Sequence, residues 1–159
     1  MMTRILVISD THGNLTRLQD LVLNCPSIDY YLHLGDSQTP EDLLNPFVTV
    51  KGNCDFSFMF RPSRTIKTPH GEIYMSHINT FSTEDFNYRN ETIFLHGHTH
   101  VANVVQLPNN KFLVNPGSLD RPRDGSNGTY LIIEWTSSTI TFKICEYGTS
   151  NVLIKSFNV

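Results

Sequence analysis

Five polar clusters in the chain hold the residue types that can bind metal ions: Asp10-Thr11-His12, Gly35-Asp36, Gly52-Asn53-Cys54-Asp55, His77, and Gly97-His98-Thr99-His100. Imidazole nitrogen with carboxylate oxygen, and no paired cysteines, suits divalent first-row cations such as Mn, Fe, Zn, Ni or Co. Side chains two apart at a strand end point the same way. Asp10 and His12 can therefore reach one ion. His98 and His100 can do the same, or divide between two ions if the loop turns. The clusters lie far apart along the chain, which excludes a single metal-binding helix; the fold must assemble the site. Gly35, Gly52 and Gly97 stand just before ligand positions, where a Cβ would crowd a metal or substrate or where φ must be positive. Asp36 is best placed to bridge two ions with its two oxygens. Two ions ~3.5–4 Å apart form the clamp used for in-line displacement at phosphorus: they acidify a shared water and neutralise the equatorial oxygens.

Each residue taken singly has a structural alternative. Asp10 and His12 can be a helix cap and a surface histidine, Gly35-Asp36 is a common turn pair, His98 and His100 can be an exposed strand pair, and His77 can be a satisfied core histidine. Their order, and their recurrence at strand ends, favours the ligand reading. The other histidines read as structural: His33 packed within a strand, His70 in a polar turn, His96 either packed or orienting a ligand. Arg121 and Arg123 follow the turn Asn115-Pro116-Gly117-Ser118. A solvated loop is one reading of them; contact with a substrate phosphate, which the guanidinium fork suits, is the other. Phe56, Phe58, Met59 and Phe60 read as an apolar patch or a contact between copies before a base-binding rim. Cys25 and Cys145 read as buried apolar residues.

The elements that must position these clusters follow from the hydrophobic pattern. Arg4–Ser9, with four consecutive apolar residues at Ile5–Ile8, is expected to be a buried strand. Leu15, Leu18, Leu21 and Val22 have helical spacing, with Asn14 as N-cap and Pro26 as stop. Asp29–Leu34 and Phe47–Val50 complete a β-α-β-β start, with one helical turn over Pro40–Leu44. The second half reads as hairpins: Arg64–Thr68 with Glu72–Ser76, and Val101–Leu107 with Lys111–Val114. Thr92–Leu95 is a short strand and Thr83–Tyr88 a helical segment. Thr129–Trp135, Thr139–Glu146 and Asn151–Phe157 alternate β-branched and polar residues as a closing meander. The clusters fall at carboxyl ends of these strands, where α/β sheets collect their sites. The expectation is two packed sheets with few helices outside.

Composition bounds the rest. A chain of 159 residues fits one domain, 1–159. The net charge of −3 argues against a broad grip on nucleic acid, short substrates excepted. Apolar runs are far below the ~20 residues that span a bilayer, and the N-terminus has no long apolar signal region. Three cysteines, widely spaced, are no disulfide framework, and the expected compartment is the cytoplasm.

In this order the clusters resemble the calcineurin-like metallophosphoesterase superfamily. The short chain, the Gly-Asn-Cys-Asp variant and Asn115-Pro116-Gly117-Ser118 look like its short, prokaryotic-type phosphodiesterase branch, over Ile5 to about Arg123. The resemblance implies an α/β fold, a four-layer αββα sandwich of two mixed β-sheets flanked by helices. It implies one ion held by Asp10, His12, Asp36 and His100, and another held by Asp36, Asn53, His77 and His98. Two positions depart from the family pattern. Cys54 stands where larger relatives have a histidine thought to help the leaving group, and a thiol of pKa ~8.5 is a weak donor. His77-Ile78-Asn79 replaces His-Gly-His, keeping the ligand and leaving Asn79 as a hydrogen-bond donor. The expected activity is hydrolysis of phosphodiesters with good leaving groups by a metal-bridging hydroxide, with inversion and no covalent enzyme intermediate. Asp36 and Asn53 lie at its centre; Asn53, Cys54, Asn79 and Arg121 face the substrate. Mn²⁺ is the expected ion, with Fe, Zn, Ni, Co or Mg as alternatives. Two other readings stay open: a phosphomonoesterase of a small metabolite, and a metal-free scaffold of the kind the retromer subunit with this fold exemplifies. Association into homo-oligomers through exposed apolar strands is also left open.

Overall fold

The computed structural model describes residues 1–56 and 60–159. The chain opens with β1 (Thr3–Ile8), the helix α1 (Leu15–Asn24), β2 (Tyr30–His33) and β3 (Val48–Thr49). The second half adds β4 (Ser63–Thr68), β5 (Gly71–Ser76), β6 (Ile93–Leu95), β7 (Asn103–Leu107) and β8 (Lys111–Asn115), then the meander β9 (Thr129–Trp135), β10 (Thr139–Glu146) and β11 (Val152–Asn158). Two mixed sheets result, one in the order β11-β10-β9-β1-β2-β3 and the other β4-β5-β6-β8-β7. In the first, β1, β2 and β3 run parallel; in the second, β5, β6 and β8 do.

The apolar run of β1 lacks alternation because both its faces are covered. Ile5 and Val7 enter the core between the sheets with Leu32, Ile73, Met75, Leu95 and Phe142. Leu6 and Ile8 face outward against Leu18 and Leu21 of α1. The helix begins as its sequence requires: the Asn14 side chain accepts the Arg17 backbone N–H at 3.2 Å, satisfying one of the free donors of the first turn. The closing strand β11 is an edge, and Val152, Leu153 and Ile154 are about half exposed.

The flanking layers are thinner than a four-layer sandwich suggests. Among the described residues, one face carries α1 and a 3-10 turn at Glu41–Leu43, and the other a 3-10 turn at Asp85–Tyr88. That segment is too short to offset the cost of nucleating an α-helix. Aromatic packing covers the face instead, with Phe86 and Phe94 ring centroids 4.8 Å apart and Phe81 against both. No helix among the described residues is long and apolar enough to cross a membrane.

The carboxyl ends of the two parallel sets meet at one edge of the sandwich. Backbone bonds tie the loops there side by side: Asp10 N–H to Gly35 O and His12 N–H to Asp36 O, both 3.0 Å, and Gly97 N–H to His77 O, 2.9 Å.

Candidate metal centre

All seven residues expected to hold ions meet at this edge. Asp10 is fully buried after β1. One carboxylate oxygen, Oδ2, accepts the Ser9 hydroxyl at 2.6 Å and the His98 N–H at 3.0 Å. The other, Oδ1, is buried without a hydrogen-bond partner. Three imidazoles face it through Nε2: His100 at 3.1 Å, His77 at 3.8 Å and His12 at 3.9 Å.

The outward nitrogens of those rings explain why none of the three donates to it. His77 Nδ1–H donates to the Leu34 carbonyl at 2.8 Å, His100 Nδ1–H to the Arg121 carbonyl at 2.6 Å, and His12 Nδ1–H to the Gln38 side-chain oxygen at 2.7 Å. A ring whose single hydrogen sits on Nδ1 presents a bare lone pair at Nε2. The His12 and His100 Nε2 atoms lie 3.5 Å apart, so two lone pairs face each other beside a carboxylate oxygen. A cation held between them makes that arrangement favourable, and it is the donor set a first-row divalent ion takes.

A second convergence lies alongside. Asn53 Oδ1 is 3.0 Å from both His77 Nε2 and His98 Nδ1. Asp36 Oδ2 is 3.3 Å from His77 Nε2, and Asp36 Oδ1 accepts the Cys54 N–H at 2.8 Å. Asp10, His12 and His100 form one group of potential ligands within mutual reach, and Asp36, His77 and His98 another; His12 and Asp36 are also within reach of each other, which places Asp36 between the groups.

Local conformation is specialised to the same end. Asp10, His12, Asp36, His98 and His100 have φ of 53, 44, 54, 69 and 61°, in the left-handed region that L-residues rarely adopt. Such strain persists where surrounding structure over-determines it, and it clusters at sites. Here the turns aim side chains from loops of different strands at one point. At Gly97 an added Cβ would run into Ser9 and come within 2.7 Å of Asp10 Oδ2. At Gly52 it would strike Asp36 itself. Neither glycine has a positive φ, so their shared requirement is close approach of backbone to the site's side chains.

Several residues support the site from behind; Gln38 and Arg17 among them carry no signal in the sequence. Gln38 fixes the His12 ring. Asp55, last of the Gly-Asn-Cys-Asp cluster, accepts the N–H groups of Asp36, Gly52 and Gln38 at 2.8–2.9 Å and so clips the loops after β2 and β3 together. Asn115 donates to Gly97 O and Thr99 Oγ1, and Ser118 donates to Asp10 O, so the Asn-Pro-Gly-Ser turn staples both ligand loops. Arg17 of α1 donates to the carbonyls of Leu119 and Asn127, holding the segment that carries Arg121. His33 is completely buried: Nδ1 accepts Gly35 N–H, Nε2–H donates to Thr11 Oγ1, and burial lowers its pKa to about 4.

The remaining predicted positions fall variously. Cys54 and Arg121 line an open cleft of about 470 Å³ above the ligands, with Arg123. Partial desolvation and the neighbouring Asp36 carboxylate push the Cys54 thiol above its usual range. Asn79 accepts the Phe81 N–H at 3.1 Å and lines neither this cleft nor the cavity beside it. Phe60 is buried beneath α1 while Phe56 is exposed; Phe58 and Met59 lie outside the described residues.

Residues 3–138 match the model of the calcineurin-like phosphoesterase superfamily domain. The chain belongs to the calcineurin-like phosphoesterase superfamily. Its relatives in that family include "Probable metallophosphoesterase YsnB" of Bacillus subtilis (strain 168), 31% identical over 156 residues, 87% of this chain and 88% of that one. Among solved structures, a predicted phosphoesterase from Streptococcus pneumoniae TIGR4 is 25% identical with a TM-score of 0.82, covering 100% of this chain and 99% of the other. The same fold occurs in the Escherichia coli phosphoesterase Yfce, at 19% identity, TM-score 0.74 and 98% of both chains. It occurs as well in Vps29 of Entamoeba histolytica, solved with Zn²⁺, at 20% identity, TM-score 0.73, 98% of this chain and 99% of the other. Metallophosphoesterases use divalent ions, and the donor set fits such ions.

Proposed function

We propose that the protein is a dimetal-dependent phosphodiesterase. The observation that carries the reading is the orphaned Asp10 Oδ1, ringed by imidazole lone pairs whose Nδ1–H groups are already committed. In this reading Asp10, His12, Asp36 and His100 hold one cation and Asp36, Asn53, His77 and His98 the second. When bound, such a pair lowers the pKa of a water and neutralises phosphoryl charge.

The chain's own groups do the rest. Asn53 turns its carbonyl oxygen to His77 and His98, which leaves its amide hydrogens to the cleft, where Nδ2 stands 3.5 Å from Cys54 Sγ. It can donate to a phosphoryl oxygen. Arg121 and Arg123 border the same cleft and offer forked donors to the remaining oxygens. Cys54, a thiol with a raised pKa, is a weak proton donor to a leaving oxygen. That favours esters whose leaving groups depart unassisted, aryl and nucleotide diesters over alkyl monoesters.

Mn²⁺ is the ion we expect to support turnover, and a panel of mono- and diesters assayed with it tests the reading. Diester hydrolysis that a chelator abolishes and Mn²⁺ restores is the expected outcome, with Asp36→Asn failing to retain metal as control. In a series of aryl diesters the rate should fall steeply as leaving-group pKa rises; a flat series would show that a general acid operates after all. Faster turnover of monoesters would make the protein a phosphomonoesterase, and a protein that takes up no metal would be a scaffold.

A further inference from the structure

A second cavity, about 340 Å³, adjoins the metal centre at Asn53 and His77. Asn53 lines both cavities, and His77 lines the second. The new cavity is otherwise walled by Lys51, Pro62, Tyr74, Ser76, Ile78 and Thr80. Its character differs from that of the arginine cleft: a tyrosine ring, a proline and an isoleucine that is 45% exposed form its apolar surface.

The wall is preformed. The Tyr74 ring packs against Phe81 and Phe94 at centroid distances of 5.1 and 6.2 Å, and the Arg89 guanidinium lies 4.7 Å from its centre. Arg89 is itself held by Glu91 through two hydrogen bonds. A ring fixed in this way loses little entropy when it receives a ligand. Lys51, at the mouth, adds a cation that can meet the face or a heteroatom of an aromatic group.

We propose that this slot binds one aryl or heteroaryl substituent of the substrate phosphodiester. The proposal rests on the diester reading above and deepens it. A phosphoryl group placed at the ligands adjoins both the arginine cleft and the apolar slot, which share Asn53, so each of two substituents has a cavity of its own. A diester has two such substituents and a simple monoester only one. The slot therefore makes an aromatic diester a better fit than a small dialkyl diester or a monoester.

The test uses the full chain, with Mn²⁺ for kinetics and with diamagnetic Zn²⁺ for binding. Thr80→Trp fills the slot from an exposed position outside the ligand set; Ile78→Ala trims its wall. For bis(4-nitrophenyl) phosphate, KM should rise about tenfold in Thr80→Trp and severalfold in Ile78→Ala, while inhibition by inorganic phosphate, which needs no slot, stays within twofold. In methyl-labelled protein, diphenyl phosphate should shift the Ile78 Cδ1 and Thr80 Cγ2 signals and dimethyl phosphate should not. Diester turnover with unmoved methyl signals, or with KM and phosphate inhibition changing together or not at all, overturns the slot alone. No turnover of any diester by the unaltered protein overturns the diester reading, and the slot falls with it.

Discussion

At the scale of single residues, the centre depends on which ring nitrogen carries a proton. His77 and His100 have theirs set by backbone carbonyls, which no substitution removes. His12 differs, because a side chain sets it: Gln38 accepts at 2.7 Å, and the Gln38 N–H is in turn held by Asp55. Gln38→Leu should weaken binding at the ion shared by Asp10, His12 and His100 by about 10–100-fold, the usual cost of losing a partner behind a ligand. Gln38→Glu, which still accepts, should restore most of it. Competition titration with a metal-sensitive dye reads this directly. Equal affinities in Gln38→Leu and the parent would show that the ring needs no such anchor.

At the scale of elements, the site is a seam between loops from two sheets, held by backbone contact. Gly97 sits where that seam is tightest, with the Asp10 carboxylate accepting the His98 N–H just beyond it. Gly97→Ala must therefore push β1 and β6 apart at their ends. A cost of about 1–3 kcal/mol is expected, as for other overpacked positions, together with loss of stoichiometric metal. Chemical denaturation and metal analysis measure the two effects. An alanine variant with parental stability and metal content would mean the loops can yield at this point. The helix α1 contributes at the same scale: through Asn14, which donates to Asp120, and through Arg17 it braces the segment that carries Arg121.

At the scale of the whole molecule, the charge and strain gathered at one edge link stability to metal and to pH. Ion binding to the folded state alone stabilises by about 2.7 kcal/mol at a hundredfold excess over Kd, and at about 2–4 °C per kcal/mol for this chain length Tm should rise by roughly 5–10 °C. Calorimetry with and without Mn²⁺ checks this; an unchanged Tm would argue against ion binding to the native state. His33 gives a pH effect of its own. Burial holds its folded pKa near 4, below the unfolded value of 6.5, so the unfolded chain takes up the proton first. Its contribution is complete above pH 6.5 and is lost as pH falls toward 4, by at most about 3 kcal/mol. Denaturation of metal-free protein across that window should show a slope that His33→Gln lacks. The chain itself determined much of this picture. Helical spacing in α1, the apolar run of β1 and the hairpin turns follow from local periodicity and hold almost to the residue, and the convergence of Asp10, His12, Asp36, Asn53, His77, His98 and His100 is legible because metal chemistry restricts which side chains can serve. The tertiary structure alone decided the rest. Gln38, Arg17 and the slot beside Tyr74 act through partners distant in sequence, and their side-chain types carry no pattern of their own. The outer helix layer likewise gave way to aromatic packing around Phe86, since a short segment takes its conformation from what it covers and not from its own propensity.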